Sequence, residues 1–234
     1  DQIAQTYDRF NDLITQGQHR YWKRVLVRRL NLASQARGLD LCTGTGDIAL
    51  RCLRGLGAGG GLVAADFSPG MLRIAQARLR RAQGVAGATG PAALVLCADA
   101  QALPLAPASL DFVTVGYGLR NVTDLRSCLR EILRVLRPGG VLASLDVGKV
   151  GNPLLRPLAE FYLFRVVPRL GRLLQRGQDM FDYLPASTVE FPGQHALRTI
   201  LLEEGFARAE VVEFLFGASV LHLAWKGGAD AAAL

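Results

Sequence analysis

The stretch GLDLCTGTGDIAL, residues 38–50, decides how the rest of the chain is read. A short apolar run carrying Asp40 gives way to the loop Cys42, Thr43, Gly44, Thr45, Gly46, and Asp47 then opens a run with helical spacing. That order is a strand, a tight turn and a helix N-terminus. Glycine serves where backbone must turn sharply and approach a ligand closely, and the exposed N–H groups of a helix start favour polar or anionic ligand groups. The expected guest is a nucleotide-like cofactor.

Downstream, short apolar strands alternate with helices. Leu62–Asp66 is a strand, Ser68 and Pro69 start a helix over Met71–Ala82, and the alanine- and glycine-rich residues 84–93 form a loop. Leu94–Cys97 and Leu110–Val115 are strands, Thr123 caps a helix to Leu136, and Val141–Leu145 is a strand ending at Asp146. Gln194–Glu204 is a last helix, and Arg208–Phe216 and Ser219–Trp225 close the chain as two more strands joined at Gly217. The pattern predicts an α/β fold with a mostly parallel sheet of seven strands, helices on both faces, and ligands at the strands' carboxyl ends. A single domain over residues 1–226 is expected, with two helices in 1–32, a helical insertion or lid over 152–184, and a frayed tail over 227–234. Within the insertion Arg165, Arg169, Arg172 and Arg176 share one helical face opposite Val166, Val167, Leu170 and Leu173, and Pro168 must kink or restart the helix. Such a basic amphipathic segment suits a membrane surface or an ordinary solvated face equally well.

The 234 residues are 50% hydrophobic, enough for a full core, and carry a net charge of +7 in which 24 of 27 basic residues are arginine. That balance helps binding to anionic surfaces without identifying one. The four cysteines, at 42, 52, 97 and 128, form no CxxC pair and have no ligand spacing with His19, His195 or His222, so no metal site is expected. They read as small buried hydrophobes in a reducing compartment. No apolar run approaches the roughly 20 residues that span a bilayer. The chain begins at Asp1 without methionine, so a removed leader would leave no trace in it.

Residues 44–49 satisfy the loose dinucleotide pattern GxGxxA, and Asp66, 20 residues after Gly46, could hold a ribose, which keeps a nicotinamide-dependent reductase open. Asp40 and Asp99 pull the other way. An acid beside the loop opposes the positive methionine end of S-adenosylmethionine, and one at the end of the third strand accepts from an adenine amino group; a pyrophosphate gains nothing from either. Each aspartate alone is as well explained as a turn or cap residue. Three at successive strand ends make a site.

The whole chain, from about residue 3 to 226, resembles the class I S-adenosylmethionine-dependent methyltransferases with their Rossmann-like fold, and more narrowly the quinone-biosynthesis C-methyltransferases that act on polyprenylated quinols. The selective marks are Tyr7 and Asp8, Asn11 to Leu13, the HRYWK segment at 19–23, the loop from Asp40 to Asp47, GYGLRNV at 116–122, and Tyr183 to Pro192. The resemblance implies a cofactor site built from Asp40, Thr43, Gly44, Thr45, Gly46, Asp66, Phe67, Asp99, Ala100 and Gly116. Two departures stand out: Cys42 replaces a glycine common in the superfamily, and Tyr117 replaces a phenylalanine, as in the cyanobacterial and plastid naphthoquinone branch.

Methylating a ring carbon needs an electron-rich ring, which a quinol becomes when one hydroxyl loses its proton. Arg120, at the end of the fourth strand, would stabilise that phenolate, Asn121 would hydrogen-bond the ring oxygen, and Asp146 is one candidate proton acceptor, directly or through water. His19 is a second candidate and is read rather as a packing histidine beside Trp22. The resemblance implies demethylmenaquinol or demethylphylloquinol as substrate, with 2-methoxy-6-polyprenyl-1,4-benzoquinol as the alternative. It implies peripheral membrane contact on a cytoplasmic face or organelle interior (plastid or mitochondrion in a eukaryote), a homodimer or quinone-biosynthesis complex, and no nucleic-acid partner. A non-catalytic quinone-binding assembly protein is the reading outside enzymology, against which the intact Asp40, Asp66, Asp99 and Arg120 speak.

Overall fold

The computed structural model describes residues 12, 15, 17–86, 90–167, 169 and 190–228. Its strands are β1 (Arg37–Leu41), β2 (Gly61–Asp66), β3 (Ala92–Cys97), β4 (Leu110–Gly116), β5 (Leu136–Val147), β6 (Phe206–Phe214) and β7 (Ser219–Lys226). They form one sheet in the order β3-β2-β1-β4-β5-β7-β6, parallel from β3 through β5, with β7 antiparallel to both β5 and β6. The helices are α1 (Gln18–Leu30), α2 (Asp47–Gly55), α3 (Pro69–Ala86), α4 (Leu125–Val135), α5 (Arg156–Phe161) and α6 (Gln194–Glu203).

Strand periodicity divides the core into two layers. Leu39, Leu41, Val113 and Val115 pack with Leu129 and Ile132 of α4 and Leu197 and Leu201 of α6. Ala64, Phe112, Ala143 and Leu145 pack on the other face with Trp22 and Leu26 of α1, Ile48 and Cys52 of α2, and Leu79 of α3. Trp22 also stacks on Phe214, ring centroids 5.8 Å apart. The alternation puts Asp40, between Leu39 and Leu41, on the α1 and α2 side.

Gly38 shows how tightly this is built. It faces Phe112 across the β1–β4 ladder, and a Cβ there would lie 2.0–2.4 Å from that buried ring. Gly38→Ala is expected to lower unfolding free energy by about 1–3 kcal/mol through overpacking. Gly151→Ala, with nothing within 4 Å of its Cβ, should change it by less than about 0.5 kcal/mol. Urea unfolding of both variants checks the contrast.

Several boundaries differ from the sequence reading. The cap of α4 is Asp124, not Thr123: its carboxylate accepts from Ser127 N at 3.0 Å and from Ser127 Oγ at 2.6 Å. α3 continues to Ala86, since Arg80, Arg81, Ala82 and Gln83 are good helix formers that carry it through Gly84. β5 begins at Leu136, five residues before the expected Val141, and runs through Pro138, Gly139 and Gly140 as a bulge at the strand's start, where the register against β4 shifts between Leu110 and Phe112. Cys52 and Cys128 are buried as expected, but Cys97 is exposed, because β3 is an edge strand. In the insertion, α5 passes into a π-helical turn, Tyr162–Val166, one turn before Pro168, whose ring nitrogen donates no hydrogen bond. The first N-terminal helix, Arg172, Arg176 and the tail beyond residue 228 lie outside the described residues. Among the described residues no helix is long and apolar enough to cross a membrane.

Candidate active site

In the strand order 3-2-1-4-5 the chain reverses direction across the sheet between β1 and β4, and the loops leaving their carboxyl ends part there to open a crevice. A cavity of about 1170 Å³ occupies it. Its walls come from the loops after all five parallel strands, together with α1, α5 and the 3-10 turn Leu215–Gly217.

The two central loops interlock. Cys42 (φ 54°) and Tyr117 (φ 59°) both adopt left-handed backbone just past β1 and β4, where glycine would be cheaper; such strain costs on the order of 1 kcal/mol or more and collects at functional sites. A Cβ on Gly118 would stand 2.4 Å from Cys42 Cβ, so only glycine lets the loops close on each other. Gly46 (φ 82°) leads into α2 against Ala75.

Asp40 anchors this arrangement. Its buried carboxylate accepts from Thr43 Oγ1 at 2.6 Å, Thr114 Oγ1 at 2.6 Å and Ala49 N at 3.0 Å, tying β1 to its own loop, to β4 and to α2. Burial pushes its pKa up to about 6, the three hydrogen bonds and Lys23 only partly opposing that rise. Asp66 does similar work at the end of β2, accepting from Gly44 N at 2.8 Å and Ser68 N at 2.9 Å. Asp99 accepts from Gln101 N at 2.9 Å, and Thr45 Oγ1 accepts from Arg78 at 3.2 Å.

Of the thirteen residues expected in the site, Asp40, Thr43, Gly44, Thr45, Asp66, Phe67, Asp99, Ala100, Gly116, Arg120 and Asn121 line the cavity; Gly46 and Asp146 do not. Gly46 shapes the loop from behind. Asp146 lies beneath Arg120, whose Nη1 donates to its Oδ1 at 2.5 Å, and both side chains are buried. Its other observed donor is the backbone N–H of Val147, at 2.8 Å. Asp146 thus aims and charge-balances Arg120 from behind the cavity wall, without reaching the cavity itself. The Arg120 guanidinium also lies 5.7 Å from the Tyr117 ring centroid, within cation–π range.

His19 is buried at the cavity's α1 wall. Its Nε2 pairs with Asp12 Oδ1 at 2.8 Å, and its buried Nδ1 meets no hydrogen-bond partner among the described residues. Burial lowers its pKa, so the ring is neutral near pH 7. The Asp12 contact fixes the ring in the cavity wall. His222 is buried within β7 and bonded to the Gln194 carbonyl at 2.9 Å, away from the cavity lining. Sequence reasoning missed Lys23, whose Nζ meets Asp47 Oδ2 at 2.8 Å and clamps α1 to the start of α2 beside the cavity. His19 and Lys23 both stand in the HRYWK segment at the i, i+4 spacing that places them on one helix face, which was the available signal. The wall from Gly148 to Val150 and from Leu215 to Ser219 carries no motif.

The residues present suit S-adenosylmethionine. Beside the glycine loop the wall offers carboxylates, Asp66 and Asp99, each with acceptor capacity left for hydroxyl or amino donors, over a buried anionic Asp40. A Cβ on Gly116 would meet Ile48 Cδ1 at 2.2 Å, so that wall is bare backbone.

A 3-2-1-4-5-7-6 sheet with an antiparallel seventh strand and an acid-lined site at its switch point defines a class I S-adenosylmethionine-dependent methyltransferase. The fold is similar to that of a SAM-dependent methyltransferase from Aquifex aeolicus, with a TM-score of 0.62 and 18% identity over 87% of this chain and 88% of that one. The chain belongs to the ubiE/COQ5 methyltransferase family, which it matches over residues 1–226. It is 43% identical to the demethylmenaquinone methyltransferase of Leptospira interrogans over 97% of this chain and 90% of that protein. To the ubiquinone/menaquinone biosynthesis C-methyltransferase of Xanthomonas oryzae it is 38% identical, over 96% of this chain and 87% of that protein. The protein is thus a methyltransferase, and the nicotinamide reductase is set aside.

Proposed function

We propose that the protein methylates a ring carbon of a prenylated quinol, with demethylmenaquinol as its preferred acceptor. The observation that carries this reading is a buried, carboxylate-aimed Arg120 on the wall of a cavity wide enough for cofactor and bicyclic ring together. The menaquinone assignment draws on the similarity to the Leptospira protein.

S-adenosylmethionine supplies, when bound, an electrophilic methyl group on a sulfonium. Asp66 would accept hydrogen bonds from the ribose hydroxyls, Asp99 with Ala100 would hold the adenine, Thr43, Gly44 and Thr45 would shape the cradle, and the exposed Phe67 would stand beside it. Asp40 contributes negative charge from below the loop. Arg120, permanently protonated, favours the phenolate form of the quinol and so raises electron density on the ring carbon; the hydroxyl proton leaves to water. Once that carbon has gained the methyl group with cleavage of the donor's S–C bond, its own proton leaves to water and the ring oxygen regains one, so that one proton is released overall. Asn121, whose Nδ2 reaches the Tyr117 carbonyl only at 3.4 Å, is available to the ring oxygen.

The benzoquinol reading is the second one, supported by the similarity to the Xanthomonas protein. Purified protein given S-adenosylmethionine and short-chain forms of both quinols should show the higher kcat/KM on the naphthoquinol. The reverse order would favour the benzoquinol, and transfer to neither would overturn the proposal.

A further inference from the structure

Leu158 and Phe161, three residues apart on one face of α5, are 67% and 60% exposed, and Leu154 in the turn that leads into it is 86% exposed. Arg165 and Arg169, four residues apart just beyond α5, are also exposed, with Arg169 Nη1 donating to the Arg165 carbonyl at 2.8 Å. A second exposed apolar tip stands nearby: Phe216, 71% exposed, in the turn Leu215–Gly217. The two tips flank one loop. Gly148 N donates to the Ala218 carbonyl at 3.1 Å, and Arg156 Nε reaches the Val150 carbonyl at 3.4 Å. Both tips also border the cavity, since Ala159 and Tyr162 of the α5 segment and Leu215 of the turn line it. Leu158, Phe161 and Phe216 do not line it and stand exposed beside these lining residues.

From this arrangement we infer that the mouth formed by α5 and the 215–217 turn docks onto an anionic lipid bilayer. Apolar side chains grouped beside arginines match a surface with hydrocarbon below and phosphate above. Leu154, Leu158, Phe161 and Phe216 enter the acyl boundary while Arg165 and Arg169 meet the headgroups, in a chain of net charge +7. Glu160 is the acid on this helix and lies 4.0 Å from Arg156, so it presents an ion pair to the headgroups. The inference rests on the quinol reading in one respect: a bilayer seated here lets a prenyl tail stay in lipid while its ring enters the cavity.

The test is co-sedimentation of the full chain with vesicles of phosphatidylcholine alone or with one third phosphatidylglycerol, beside methyl transfer to a soluble short-chain quinol. Wild type should bind the anionic vesicles at least tenfold more tightly than the neutral ones. The double variant Leu158→Glu, Phe161→Glu should lose at least tenfold in vesicle binding and in turnover of a long-tail quinol held in vesicles. Its affinity for S-adenosylhomocysteine and its turnover of the short-chain quinol should stay within twofold of wild type, which also reports that it folds. Vesicle binding unchanged in the double variant, or absent in wild type that still methylates the short-chain quinol, would overturn the docking face and leave the quinol reading standing. A dimer that the double variant dissociates in sedimentation velocity would also overturn it, by making this face a contact between two copies. Failure of wild type on every quinol would instead fall on the proposed function.

Discussion

Arg120→Met is expected to abolish most turnover and to destabilise the fold, and the two losses are separable. The substitution leaves Asp146 as a buried carboxylate without the guanidinium that stands 2.5 Å from it. Removing one partner of a buried pair costs about 3–5 kcal/mol. It also removes the fixed positive charge on the cavity wall that favours phenolate, worth about 10²–10³ in kcat for one preorganised donor. Adding Asp146→Asn neutralises the stranded charge and keeps an acceptor for Val147 N. The double variant should therefore recover most of the stability in urea unfolding and almost none of the rate. Recovery of both would mean that Arg120 serves only to satisfy Asp146.

Binding of S-adenosylmethionine should release protons between about pH 5 and 6.5, and binding of S-adenosylhomocysteine should not. Asp40 has its pKa pushed up to about 6, first by burial, against the ordinary 3.8. The sign for stability follows: a folded-state value above the unfolded one means the ionised carboxylate costs the fold about 3 kcal/mol above pH 6. That cost shrinks as pH falls towards 3.8. A sulfonium favours the ionised form, so near pH 5.5 its binding expels the proton that a neutral thioether leaves in place. Lys23, Thr43, Thr114 and the Ala49 N–H act on the same carboxylate and are common to both complexes. Affinity for the methyl donor should drop about tenfold more than that for the product on going from pH 7.5 to 5, roughly 1.4 kcal/mol of charge interaction. Calorimetry in buffers of different ionisation enthalpy reads both quantities, and equal proton release by the two ligands would remove Asp40 from the charge recognition assigned to it.

Much of this was legible in the sequence because it is local. The strand–loop–helix of residues 38–50 is written in consecutive residues, and so is the run of strand ends at Asp66, Asp99 and Gly116 that places acids and bare backbone at one edge. What escaped depends on contacts between distant segments. Asp146 and Arg120 are 26 positions apart. The sequence places both at strand ends, but nothing in it says that one lies behind the other. Lys23 and Asp47 meet across 24 positions; the spacing of His19 and Lys23 marks a shared helix face but does not name that partner. Thr123 and Asp124 are both competent caps, and only the turn's geometry chooses the aspartate. The exposure of Cys97 follows from β3 being an edge, which strand order decides and strand sequence does not.

The most direct measurement is the structure of the product formed when purified wild-type protein is given trideuteromethyl-labelled S-adenosylmethionine and short-chain demethylmenaquinol. Mass spectrometry and proton NMR should show one trideuteromethyl group on the ring carbon, the ring C–H resonance gone, and both hydroxyls unsubstituted. A label on oxygen, or an unlabelled quinol recovered intact beside protein that binds S-adenosylhomocysteine, would contradict the account.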